Sequence, residues 1–172
     1  MNRFSNRLVA ASAGLAACGF ILTGCGSGQI SQVAGQEAAV NGMSADAKDI
    51  ALRNIHLLAD QNGDFLVPGK VLPLVFVAAN SSPDVDDKLV SITSDVGTVA
   101  LSGDGAVMAG RALVVAPKGQ AEAMGSAAPA TAAVTLTKPI TNGLSYPFTF
   151  TFEKAGATTV AVPLSAGEGA RQ

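Results

Sequence analysis

Residues 145–152 read Ser-Tyr-Pro-Phe-Thr-Phe-Thr-Phe. Every second residue is aromatic. An extended strand therefore puts Tyr146, Phe148, Phe150 and Phe152 on one face and Ser145, Pro147, Thr149 and Thr151 on the other. A helix of 3.6 residues per turn would scatter the same rings around its girdle. The segment demands a sheet with one face turned to a core. The chain has one Tyr, seven Phe and no Trp, so half of its rings sit in this strand. We read them as the core's main aromatic mass rather than as a ligand-stacking platform.

The surrounding chain repeats the same grammar of short apolar runs between turn residues. Residues 50–58 form a first strand with a phase break at Arg53 and Asn54, which predicts a bulge. Residues 71–79 are apolar in both phases, as in a central strand. Pro73 lacks an N–H and belongs at the strand start or against an edge. Strands follow at 89–93, 98–101, 111–115, 131–137 and 158–164. Ser102 to Gly105 reads as a Gly-rich turn between its two flanking strands. Lys138-Pro139, Asn142-Gly143 and the Asn-Gly centre of 60–64 also read as turns. Residues 120–131, rich in Ala, Gly, Ser and Pro, read as a loop or a poorly ordered insertion. The expectation is an all-β sandwich over 48–165 with a polar tail at 166–172.

The N-terminus has a different character. Arg3 and Arg7 precede an apolar run over 8–23, broken only by Ser12, Gly14 and Gly19. A transmembrane helix needs roughly 20 apolar residues. The shorter run, ending in small residues, reads as a signal peptide over 1–24. Leu22-Thr23-Gly24-Cys25 resembles a bacterial lipobox. That resemblance implies cleavage between Gly24 and Cys25 and lipid on the Cys25 sulfur. Residues 25–47 then form the lipidated N-terminus and a Gly/Ser/Gln-rich tether. A short helical turn near Ser44 is the alternative for its last residues.

Removal of 1–24 takes away two arginines and Cys18. It leaves nine basic and thirteen acidic side chains and a single cysteine, Cys25. No internal disulfide is then possible. A net charge of −4 with no basic stripe argues against nucleic acid as a partner and against attraction to anionic headgroups. Membrane contact has to come through Cys25.

The mature chain offers little catalytic chemistry. Nucleophilic catalysis needs a base beside the nucleophile, and His56 is the only histidine. Gly103, Gly105 and Gly110 read as hairpin glycines rather than a phosphate loop. Asp60-x-Asn62-x-Asp64 begins like a calcium loop, but Phe65 and Val71 stand where Gly and Glu are required. Asp84, Asp86 and Asp87 read as a solvated acidic loop, with a weak divalent-cation site as the alternative. Asn80-Ser81-Ser82 spells a glycosylation sequon of little weight in a bacterial chain. The reading is of a protein that is not an enzyme.

Three pieces together carry a family resemblance. They are Leu74-Val-Phe-Val-Ala-Ala-Asn80, then Asp87-Lys-Leu-Val-Ser-Ile-Thr-Ser94, then Lys138-Pro-Ile-Thr-Asn-Gly143 continued by Phe150-Thr-Phe-Glu-Lys-Ala-Gly156 and Val160-Ala-Val-Pro163. This layout resembles the PCu(A)C periplasmic copper-chaperone-like domains. Across most of the precursor the chain is also similar to mycobacterial lipoproteins. The resemblance implies a cupredoxin-like or immunoglobulin-like β-sandwich. It also implies where copper ligands would stand: a His near Ser102 and a His-x-Met pair near Ala130 and Ala132. Those ligands are absent. Met108, Met124 and His56 are the only substitute copper candidates, and His56 reads more simply as structural. The leading expectation is a lipid-anchored, non-catalytic envelope protein at the cell membrane that binds an envelope partner or ligand without a cofactor. The alternative is a copper-handling lipoprotein.

Overall fold

The computed structural model describes residues 42–59, 65–124 and 130–166. The expected signal segment, Gly24, Cys25, nearly all of the tether, the turn at 60–64 and the tail after 166 lie outside these residues.

The strands are β1 (Met43–Ala47), β2 (Ile50–Ala59), β3 (Phe65–Leu66), β4 (Val71–Asn80), β5 (Asp87–Ser94), β6 (Gly97–Ser102), β7 (Ala106–Val107) and β8 (Ala112–Val115), then β9 (Thr131–Leu136), β10 (Ile140–Thr141), β11 (Ser145–Phe152) and β12 (Gly156–Ala166). One helix, α1 (Lys118–Ala123), lies between β8 and β9. The hydrogen-bonded order is β6-β9-β4-β2-β12-β11-β5-β7, with β1 added to β2 and β8 to β4. Strands β3 and β10 form a separate pair. The path curls at β12. Its first residues pair antiparallel with β11, from Gly156↔Phe152 to Pro163↔Ser145, and its last pair parallel with β2, from Leu164↔Leu57 to Ala166↔Ala59. This is the all-β, cupredoxin-like architecture expected from the sequence.

The period-two segment does what its pattern demands. Phe148, Phe150 and Phe152 are buried, and Phe150 meets Phe76 of β4 edge-on with ring centroids 5.1 Å apart. That contact joins the two halves of the curled sheet across the core. On the outer face Thr149 and Thr159 share a hydrogen bond of 2.8 Å. Tyr146 is only half-buried. Its hydroxyl accepts the Thr141 N–H at 2.6 Å and ties down the Asn142-Gly143 turn.

Strand β4 is apolar in both phases because it is covered on both faces. Leu74, Phe76 and Ala78 enter the main core, whereas Val75 joins Val114, Ala116 and Ala121 in a second cluster. Pro73 pairs with Ala133 of β9, one residue before the β2 pairing begins at Leu74. In β2 the predicted bulge is real. The register shifts between Arg53 and His56, and Asn54 takes a left-handed φ of 54°.

Four local expectations change. Residues 43–47, read as tether or helical turn, form a strand on β2, with Ala47 buried and Ala45 packed on the core. Residues 120–123, the start of the stretch read as loop, belong to a helix that opens at Lys118, because Ala121 seals Val75 and Val114. The strands flanking Ser102 to Gly105 do not pair with each other: β6 makes a six-residue ladder with β9, and β8 pairs with β4. Strand β12 runs on to Ala166, because its end is paired by β2.

Candidate functional site

Strand β6 ends at Ser102, opposite Thr131 of β9, and Ala130 forms a bridge with Val115 of β8. The fold thus brings Ser102, Ala130 and Ala132 together, the positions at which the resemblance implied copper ligands. Facing them are Lys88, Leu89 and Val90 of β5. Between these elements lies a cleft of about 440 Å³. Its floor is apolar: Leu89, Leu113, Val115 and Ala130 are all buried. Lys88, Ser102 and Asp104 also line it. Asp104 also accepts the Ala106 N–H at 2.6 Å. Lys88 belongs to neither of the two ion pairs among the described residues, Arg53–Asp46 and Lys138–Asp95.

Gly105 sets how closely the rim can approach the floor. Its φ is +71°, and its carbonyl accepts the Leu89 N–H at 2.9 Å. A Cβ at this position would stand 2.6 Å from the Leu89 carbonyl oxygen. Only glycine meets both demands.

Behind the cleft, β5 is pinned by Asp87. This residue was read as part of a solvated loop, and it is 8% exposed. Its carboxylate accepts three backbone N–H groups: Lys88 at 2.7 Å, Lys154 at 2.9 Å and Ala155 at 2.8 Å. Burial alone would push its pKa up. The three donors and the Lys154 charge outweigh burial and hold it below the ordinary value. Asp86 accepts the Ala109 N–H at 2.7 Å, and the Lys154 ammonium donates to the Asp86 carbonyl at 2.8 Å. Of the three aspartates only Asp87 is buried; Asp84 and Asp86 are exposed, as the solvated reading has them, Asp86 while accepting the Ala109 N–H. Asn80 of the sequon is likewise buried. Its amide donates to the Val85 and Val107 carbonyls, and its oxygen accepts the Ser82 N–H. Nothing in the sequence separates Asp87 from its neighbours. Its role emerges only when the turn between β11 and β12 folds over it.

The substitute copper candidates sit on three different elements. His56 lies on the outer face of β2 opposite Val75 and is buried. Its Nδ1–H donates to the Asn54 carbonyl at 2.9 Å, so the bulge fixes its tautomer. Burial lowers its pKa, and the Asn54 hydrogen bond only partly opposes this. Met124 caps the C-terminus of α1, and Met108 lies in the turn after β7; both are exposed. Among the described residues no group of three or more His, Cys, Asp or Glu could hold a metal ion. The Asp60 to Asp64 segment lies outside them.

Comparison with known proteins places this fold. The family model described as LpqE-like matches residues 50–164. The chain is 50% identical over 176 residues to a Mycobacterium tuberculosis protein named "Putative lipoprotein LpqE", covering 97% of each. It is 49% identical over 185 residues to the protein of that name in Mycobacterium leprae, covering all of both. Among solved structures, the apo PCuAC domain from PmoF1 matches with a TM-score of 0.57 at 18% identity, over 73% of this chain and 100% of that one. The copper-bound PCuAC domain from PmoF2 matches with a TM-score of 0.55 at 17% identity, over 73% of this chain and 99% of that one. At such identity the structural likeness carries the fold alone.

Proposed function

Since the chain belongs to the LpqE-like lipoprotein family, we propose that it is exported, cut between Gly24 and Cys25, and held by lipid on Cys25 at the extracytoplasmic face of the cell membrane. Its β-domain is a non-catalytic binding module, and the cleft between β5 and the β6–β9 end takes an apolar group of a ligand or envelope protein partner. One observation carries this reading. The copper-chaperone-like layout persists, but Ser102 and Ala130 line a cleft with an apolar floor where the resemblance implied copper ligands. Such a cavity suits an apolar body, with Lys88 among its lining residues to favour a carboxylate or another acceptor.

Copper is the second reading, and the copper-bound PmoF2 domain is the reason to test it. Cu(I) prefers imidazole and thioether donors. Ser102, Ala130 and Ala132 supply neither, and His56 has one ring nitrogen committed to Asn54. The donor set does not fit the metal.

The experiment is recovery of a partner or ligand by cross-linking the lipidated protein in intact cells, beside a Ser102→Trp variant that fills the cleft mouth. The binding-module reading expects one specific species with the wild type and its loss with the variant. Equal recovery with both would move the site elsewhere on the domain. A Cu(I) competition titration separates the second reading. Tight binding abolished by the double variant Met108→Leu, Met124→Leu would put a copper site in place of the apolar one.

A further inference from the structure

We infer that one end of the β-domain, marked by Phe65, Val67, Val71 and Leu144, rests on the lipid surface to which the Cys25 anchor ties the chain. The inference depends on the lipid-anchor reading above and adds an orientation to it.

These four side chains are 64%, 47%, 59% and 54% exposed. The topology gathers them at one end. Phe65 pairs with Thr141, and Leu144 follows the turn after Thr141. Leu144 also precedes Ser145, which pairs with Pro163 near the close of β12. Val71 opens β4, and Ala59 and Ala166 pair where β2 and β12 finish. The opposite end carries Asn80, Asp87 and the turn from Phe152 to Gly156. Val85, Val90 and Met108 are exposed elsewhere, but Phe65, the most exposed large apolar side chain among the described residues, stands in this group of four, and such a group marks an interaction surface.

The direction of the chain selects the occupant. Met43 pairs with Ile55 and Ala47 with Ile50. Strand β1 therefore runs away from the apolar end, and its first residue, Met43, is the one nearer to it. Sixteen residues lie between Cys25 and Gly42, a reach of at most about 60 Å even when fully extended. The anchor thus keeps the domain within that reach of the bilayer, at high local concentration. The mature chain has no positive balance to draw it to anionic headgroups, so contact falls to apolar side chains entering the headgroup–acyl boundary. Charges at this end include Lys70 and the paired Lys138 and Asp95, 3.5 Å apart. In this orientation the cleft, whose Leu89 pairs with Phe152 toward the other end, faces away from the membrane.

The chain contains no Trp, so one substitution gives a unique reporter. Full-length lipidated Phe65→Trp, Leu144→Trp and Val85→Trp proteins would be reconstituted into phosphatidylethanolamine–phosphatidylglycerol vesicles, with and without bromine on the acyl chains. Flotation with the vesicles reads the anchor. Tryptophan emission reads the contact. We expect the F65W and L144W reporters to shift to the blue and lose the larger part of their emission to brominated lipid, and the V85W reporter at the opposite end to do neither. Using two positions guards against one variant misfolding, checked by circular dichroism. Floating protein with all three reporters equally unquenched overturns the docking alone and leaves the apolar end to a protein partner. Protein that does not float overturns the anchor, and the docking with it.

Discussion

Replacing Asp87 by Ala removes the acceptor of three backbone N–H groups, those of Lys88, Lys154 and Ala155. A hydrogen bond to a charged group nets about 1.5–3 kcal/mol, and a donor left unpaired costs more than its bond is worth. Three full losses would exceed what single substitutions usually cost. Asp87 and Lys154 also line a shallow cavity of about 170 Å³ through which water can reach the stranded donors. We therefore expect a loss of about 3–5 kcal/mol for Asp87→Ala. In a domain of this size that lowers Tm by roughly 10–20 °C. Asp87→Asn keeps one acceptor oxygen and should lose about half as much. The pH dependence has a definite sign. The folded carboxyl titrates below its ordinary value of 3.8, so between the two values the unfolded chain binds more protons. The stabilisation is present in full above the unfolded value and is lost as pH falls through the folded one. Urea unfolding followed by far-UV circular dichroism, at neutral pH and in steps down to the acid limb, reads both effects. Asp87→Ala unfolding within about 0.5 kcal/mol of the wild type, the range of an ordinary surface change, would refute the reasoning.

Other perturbations test other parts of the fold. Phe150→Ala removes the ring that meets Phe76 across the core and should cost about 3–5 kcal/mol in urea unfolding. Gly105→Ala forces a side chain onto a φ of +71° and against the Leu89 carbonyl; a Tm drop corresponding to about 2–3 kcal/mol is expected, with ligand capture reduced because Leu89 floors the cleft. His56 is held neutral by burial, so the wild type should lose stability as pH falls through its ordinary value of 6.5 toward the lower folded value. His56→Gln should flatten that part of the stability–pH curve, as read by thermal melts from about pH 8 to 5.

Much of the fold is legible in the chain because period and punctuation are local. The alternating rings of 145–152 specify β11 and the face it buries, and Arg53-Asn54 announces the β2 bulge. What escapes the sequence is set by distant partners. Helix α1 has six residues and no side-chain N-cap; it persists through Ala121 packing on Val75 and Val114. The Gly-rich stretch at 102–105 looks like a hairpin turn, but a six-residue ladder with β9 outcompetes local pairing of β6 with β8. The same limit applies to the site. The family layout brings Ser102 and Ala130 to one place, yet the apolar cleft depends on Leu89 and Val115 arriving from other strands. Asp87 looks like one exposed aspartate among three until the β11–β12 turn closes over it.

Cys25 carries the central claim, that this β-domain works from a lipid anchor. Intact mass spectrometry of the N-terminal peptide, taken from membranes of cells making the wild type or Cys25→Ala, tests it. We predict a wild-type chain beginning at Cys25 and carrying the added mass of acyl lipid, with Cys25→Ala unlipidated and lost from the membrane fraction. The same unmodified mature N-terminus in both proteins would contradict it.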